Sequence, residues 1–369
     1  MSKTRPRQHP LIMKTITITA ILLTAIGLSA CKKMNHDMDN EDMGMNLNIN
    51  YSAAYVVNGQ DASVSVIDLS KNVVTETIPL MGNDGKMMMW PHHIYKSPTS
   101  NNLSIAIPGT DLSAGHAGGM PNMNGMVTVL DGQKGSMIKN LELPAMNHNA
   151  VFSPDGKEIW TSQMETEGKV LVYDAQSYML KKVINVGKEP AEVTFSANGT
   201  KAYVANGGND NVMVINPITK ERVATIPVGD NPVAAWVGQD NKMYVDNEDG
   251  QSVSVIDVIS NTVVQTIVLG FMPGSVAHNA FKNELWVTDP DNGKVHYWTF
   301  NSGTNTWVHG NAFSTGPGAH AIAFTKDGGT AYVTNQLAKN VSVIDASNHT
   351  KIKDITVGTK PNGILIINN

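Results

Sequence analysis

The chain has 369 residues, 41% of them hydrophobic and 16% charged, with 32 glycines, a balance that supplies a real core but favours many short strands and tight turns over long charged helices. Its formal charge is −5; the first thirty residues hold four bases (Lys3, Arg5, Arg7, Lys14) and no acid, which leaves 23 basic against 32 acidic residues in the remainder. That acidic surplus argues against a nucleic-acid partner, which needs cations to displace counterions from the phosphate backbone, and a single cysteine, Cys31, excludes an intramolecular disulfide.

In chain order, a basic stretch ends at Lys14, an apolar run (ITITAILLTAIGLSA) follows, and the run stops at Leu28-Ser29-Ala30-Cys31. This pattern predicts a signal peptide over residues 1–30; the apolar run is shorter than the ~20 residues of a spanning helix. Met13 is a second candidate start. Small residues before a cysteine resemble the lipobox of bacterial lipoproteins. The resemblance implies that Cys31 is the acylated first residue of the mature chain, anchoring it to a membrane of the cell envelope; Lys32 after it is compatible with the outer membrane, on its periplasmic or surface face. The alternative is an ordinary signal peptide with a leftover thiol. Residues 31–50, rich in Met, His and Asp, carry too few branched or aromatic side chains to offset the entropy of ordering and are expected to form a flexible tether.

From Tyr51 the chain repeats itself. A short apolar strand with one aromatic residue recurs as AYVVN around Tyr55, IWTSQ around Trp160, AYVAN around Tyr203, MYVDN around Tyr244, LWVTD around Trp286 and AYVTN around Tyr332, with a degenerate copy, LSIAI, around Ser104. Successive distances from Tyr55 are 49, 56, 43, 41, 42 and 46 residues, close to the ~40–45 of a four-stranded propeller blade. Each copy is followed by an alternating strand (SVSVID at 63, MVTVLD at 126, NVSVID at 340, among others), whose period of two predicts a half-buried strand. A further strand and a Val-Gly or Leu-Gly turn complete each repeat. The first repeat lacks an inner strand before Tyr55, whereas residues 361–368 form an inner strand with no blade after it. These ends are expected to pair, closing a seven-bladed, all-β propeller over residues 51–369 and removing exposed strand edges.

The repeats and their AYVTN wording resemble the YVTN or YncE-like propeller family, which implies this fold but no particular activity. Aligning the starts of the inner strands on Ser97, Ser153, Ser196 and Thr325 puts His92, His148 and His320 at one equivalent position in blades two, three and seven, with Asn362 there in blade one. Blades four, five and six offer Ala191, Val233 and Gly274. Three histidines and an asparagine on consecutive arcs of one channel mouth form a candidate metal site, since neutral imidazoles suit zinc, copper, iron and nickel. His93 and Glu192 share the next position and could orient the ligands or replace one. The competing use of such histidines is to hydrogen-bond loop carbonyls around a water-filled channel. Methionines gather before the histidine pair (Met81, Met87, Met88, Met89), in the tether, and in the blade-two insertion, which also carries His116; thioether with imidazole favours copper, although methionine also fills irregular gaps.

A PHH sequence opening a blade is similar to the propeller domain of nitrous-oxide reductase, whose histidine ring carries a copper cluster, and the repeats resemble the haem d1 propeller of cytochrome cd1 nitrite reductases. Here there is no cupredoxin domain and no CxxCH motif, so neither analogy brings its own electron donor. Glu189, Glu192 and Glu248 could supply acid and base groups; Gln163, Asn206, Asn247, Asp289 and Asn335, which end their strands at equivalent positions, are read as turn-holding. Three functions remain open: an envelope-anchored binding protein presenting its channel-mouth face to a protein or small-molecule ligand, with copper held there; a redox enzyme using a metal or haem iron at the channel histidines; or a purely structural surface protein that gives the histidines no role.

Overall fold

The second strand of each repeat is the one the aromatic motif marks, and it is buried from its second residue on in every blade and along its whole length in Ala53–Asn58 and Glu158–Gln163. A computed structural model, described here for residues 45–82, 84–113 and 123–368, arranges these strands in seven four-stranded antiparallel sheets. The chain is a seven-bladed β-propeller. Its inner strands are Pro361–Ile367, Ile94–Lys96, Ala150–Phe152, Pro190–Phe195, Pro232–Val237, Val276–Asn279 and Ala319–Phe324, for blades one to seven. Each packs on its neighbours around the ring, the last of them returning to blade one. The only helical turn among the described residues is Gly207–Asn209.

The ring closes where the ends of the chain meet. Strand Pro361–Ile367 lies antiparallel to Ala53–Asn58, with Tyr55 opposite Leu365 and Ala53 opposite Ile367, in the sheet that continues through Ser63–Asp68 to Val73–Pro79. One blade thus joins the two ends of the propeller sequence, and no inner edge is left open.

The core lies between blades. Seven apolar clusters fill the seven interfaces, for example Tyr55, Ile105 and Leu130 between blades one and two, and Tyr332, Val343 and Ile67 between seven and one. Both faces of each sheet are therefore covered, and this changes the meaning of the alternating third strands. Ser63–Asp68 and Ser252–Asp257 alternate serine with valine, yet the serines are as buried as the valines. Their hydroxyls are partners for the strand-end amides: Asn58 Nδ2 donates to Ser63 Oγ at 3.1 Å and Ser65 Oγ at 2.9 Å, and Asn247 does the same to Ser252 and Ser254. The other end of the clasp holds the turn that enters the blade, since Asn58 Oδ1 accepts from Gly358 N–H at 3.1 Å and Asn206 Oδ1 from Gly187 N–H at 3.0 Å. A Cβ on either glycine would stand 2.6 Å from the asparagine Cγ, so the Val-Gly turn tolerates no side chain there.

Residues 45–50, expected in the tether, lie on blade two instead. Leu47 and Ile49 donate their N–H groups to Lys134 O and Gln133 O, both at 2.9 Å, and Ile49 is buried. Cys31 and the rest of the tether fall outside the described residues.

Candidate metal centre at the channel mouth

A β-bulge explains how two consecutive residues reach one cavity. A regular strand would send neighbours to opposite faces, but the inner strands of blades one, four, five and seven shift register near their start, which re-aims side chains. In blade two, His92 N–H donates to Ala106 O at 2.9 Å and His93 O accepts from Ala106 N–H at 3.1 Å, so the histidine pair is held by the second strand of its own blade.

The rings of His92, His93 and His148 converge. Centroids lie 4.4 Å apart for His92 and His93, 4.2 Å for His92 and His148, and 5.0 Å for His93 and His148. One nitrogen from each of the three falls within 4.8 Å of the others, and all three residues are buried. Glu192, 1% exposed, fastens two of them: its Oε1 is 2.8 Å from His148 Nδ1 and 3.0 Å from His93 Nε2. Its Oε2 accepts from Asn149 Nδ2 at 3.1 Å and, at 3.4 Å, from the Tyr95 hydroxyl. Asn149 is itself fixed across the blade interface, donating to Val193 O at 2.9 Å and accepting from Val193 N–H at 3.2 Å. A carboxylate that accepts from the outer nitrogens of two imidazoles sets their tautomers and aims the opposite nitrogens inward, the usual support of a metal-binding histidine.

The remaining sequence candidates take other places. His320 is half-buried, with its ring 5.6 Å from His92 and 6.1 Å from His93, outside the convergent trio but lining the same cavity as His93 and His148. Asn362 accepts from Gln336 Nε2 and contacts Pro91 O, joining blades seven, one and two. Glu248 lines the cavity with His93 and His148, whereas Glu189 sits in a turn at φ +51° and is not part of the lining. His116 lies outside the described residues. The strand-end amides form the clasps described above.

Three contributors had no signal in the sequence. Asp246 occupies a position that carries Ser162, Thr288 and Thr334 in other blades; its Oδ1 accepts from Ala234 N–H at 2.9 Å and Trp236 Nε1–H at 3.1 Å. Burial pushes its carboxyl well above the ordinary range, and the nearby Glu248 and Glu192 push the same way. Burial, and then Glu192, likewise raises the Tyr95 phenol, which remains a hydrogen-bond donor. Leu112, from the blade-two insertion, packs with Met146, Met164, Ala191 and Val233 in an apolar plug. The mouth thus carries imidazoles on blades two, three and seven, and on blades four and five the carboxyl groups of Glu192, Asp246 and Glu248 beside Ala191 and Val233 of the plug.

The cavity beside the trio, lined by His93, His148 and His320 with Leu112, Val233, Asp246 and Glu248, is about 30 Å³, enough for an ion with one or two waters and far below the hundreds of Å³ that a bound organic cofactor fills. As arranged among the described residues, the donor set and the volume fit a single transition-metal ion and do not fit a haem.

No protein-family model and no curated protein matches the chain. Among solved structures it is similar to the periplasmic gluconolactonase of Pseudomonas aeruginosa (16% identity, TM-score 0.68, covering 86% of this chain and 99% of that one). It is also similar to hydrazine synthase of Kuenenia stuttgartiensis (17%, TM-score 0.61, covering 76% and 95%) and to a dihydro-haem d1 dehydrogenase (16%, TM-score 0.57, covering 85% and 74%). At these identities the likeness establishes the β-propeller fold.

Proposed function

We propose that this protein is a metal-binding propeller of the bacterial cell envelope, of YVTN type and tethered by a lipid on Cys31, that holds one copper ion between His92, His93 and His148. The observation that carries the reading is the convergence of three buried imidazoles whose outer nitrogens are, for two of them, already engaged by Glu192. Neutral imidazole suits several divalent metals, and copper heads their affinity order at nitrogen sites. The bound ion would supply a Lewis-acidic or one-electron centre. The protein's own part is to hold the rings, exclude bulk water behind the Leu112 plug and keep a cavity of water size beside them. That cavity favours, as a second reading, turnover of a small molecule at the metal; an exchangeable water ligand on the bound ion distinguishes it from pure storage or sensing.

The test is titration of the mature chain with Cu(II) and Zn(II) against a competing chelator. We expect about one equivalent bound, with a loss of about 100-fold or more in affinity for His93→Ala. Equal affinity in a His92→Ala, His93→Ala, His148→Ala triple variant would sink the assignment.

A further inference from the structure

A second cluster of soft donors lies outside the histidine centre. A groove of about 520 Å³ beside blades one and two is lined by Met87, Met88, Met89 and Met126 together with Glu142 and the ion pair of Asp84 with Lys86, 3.0 Å apart. Met123 adjoins it, its methyl 3.4 Å from where a Cβ on Gly109 would stand. The loop is held in shape by main-chain bonds: Met81 and Met87 form an isolated bridge, Gly82 N–H donates to Lys86 O at 2.7 Å, and Met88 N–H donates to Leu80 O at 2.9 Å.

Methionine as gap-filler is buried, and Met88 answers to that description at 6% exposure. Met81, Met87, Met89 and Met123 do not, since they are 37%, 48%, 38% and 37% exposed. Leaving four unbranched apolar side chains in water forgoes the gain of burying them. Thioether sulfur also meets the polar main chain beside this loop, where Met137 Sδ accepts from Met81 N–H at 3.4 Å. Flexible methionines also suit a peptide-docking groove, but several thioethers beside the carboxylate of Glu142 match the needs of a soft monovalent cation.

We infer that this groove is a Cu(I) site, with Met87, Met89 and Met126 as thioether ligands and Met88 and Met123 at its walls. It is separate from the histidine centre, which prefers the harder divalent ion. The same stretch of chain leads from Met87 through Pro91 to His92, and the insertion that places Gly109 and Asn124 in the groove also places Leu112 over the histidines.

The experiment uses the mature chain with Met34, Met38 and Met43 changed to leucine in every sample, so that the tether adds no thioether. Cu(I) affinity is measured against bathocuproine disulfonate, and Ag(I), a redox-inert stand-in, is titrated into protein carrying ¹³C-methyl methionine. The expected result is a Cu(I) affinity reduced about 100-fold in Met87→Leu, Met89→Leu, Met126→Leu, with Cu(II) binding retained, and Ag(I) shifts confined to groove methyls. The His92→Ala, His93→Ala, His148→Ala variant is expected to do the reverse, so that failure of one site is distinguishable from failure of the other. Should the triple leucine variant melt early, the single exposed changes Met87→Leu and Met89→Leu are each expected to weaken Cu(I) about tenfold. Unchanged Cu(I) affinity in these variants, or Ag(I) shifts at methyls elsewhere, would overturn the inference.

Discussion

Glu192→Gln keeps the shape of the side chain and removes its charge. In the native site, Oε1 faces two imidazole nitrogens at 2.8 and 3.0 Å, and Oε2 faces the donors Asn149 Nδ2 and Tyr95 OH. An amide has one oxygen, so one edge of the substituted side chain must turn an NH2 group toward donors. If that edge meets the histidines, they must switch tautomer and lose the inward lone pairs that a metal requires. If it meets Asn149, the imidazoles keep an acceptor, but a neutral one. A hydrogen bond to a charged group contributes about 1 kcal/mol more than a neutral one, and two imidazoles are involved, so the metal-loaded state loses roughly 2 kcal/mol, about 30-fold in affinity. Glu192 is 1% exposed, so solvent does not screen this. Competition titration with Cu(II) measures the change, with denaturant unfolding of the metal-free protein as the control for folding. An affinity within about twofold of wild type would refute the argument that Glu192 orients the ligands.

Removal of residues 361–369 takes away about four ladder hydrogen bonds and about four partly buried aliphatic side chains, roughly 8 kcal/mol in all, against a total stability of about 5–15 kcal/mol; a cooperative melt unchanged by the truncation would disprove closure by this strand. Acid should weaken the blades through their third-strand turns. Lys71, together with Ser70, holds Asp68 at about 2; burial raises Asp257, but Lys242 and Ser260 outweigh it and bring it to about 2; Asp174 and Asp345 are also held below the ordinary range. Because the folded values lie below the unfolded ~3.9, this stabilisation is complete above about pH 4 and is lost as pH falls through about 2. The urea midpoint should therefore drop between about pH 5 and about pH 2, and less so in Asp68→Asn, Asp257→Asn; a flat midpoint would contradict it. Leu112→Ala should cost about 2 kcal/mol and speed release of bound metal to EDTA several-fold, and an unchanged release rate would show that the plug does not gate the site.

The blades were legible in the sequence because each inter-blade cluster needs one aromatic or large apolar side chain from every second strand, so Tyr55, Trp160, Tyr203, Tyr244, Trp286 and Tyr332 return at the blade period. Closure was legible from strand arithmetic at the two ends. The alternating third strands misled on burial, since alternation ordinarily marks one wet face and here it separates valines from serines that serve the asparagine clasps. At the mouth, counting from the inner-strand starts found the ring of His92, His148 and His320 and the next ring of His93 and Glu192. It could not find that the local backbone brings His93 beside His92 and leaves His320 outside the close trio, in the wall of the adjoining cavity. Asp246, Tyr95 and Leu112 had no motif to mark them, because Asp246 and Tyr95 act across the boundaries between strands or blades and Leu112 comes from an insertion with no counterpart in the other repeats.

The most direct test of the histidine centre is metal analysis with X-ray absorption on the purified protein. The expected result is about one copper per chain with three imidazole nitrogens in its coordination shell, absent from the His92→Ala, His93→Ala, His148→Ala variant. Copper retained by that variant, or a wild-type chain that takes up no metal on reconstitution, would contradict it.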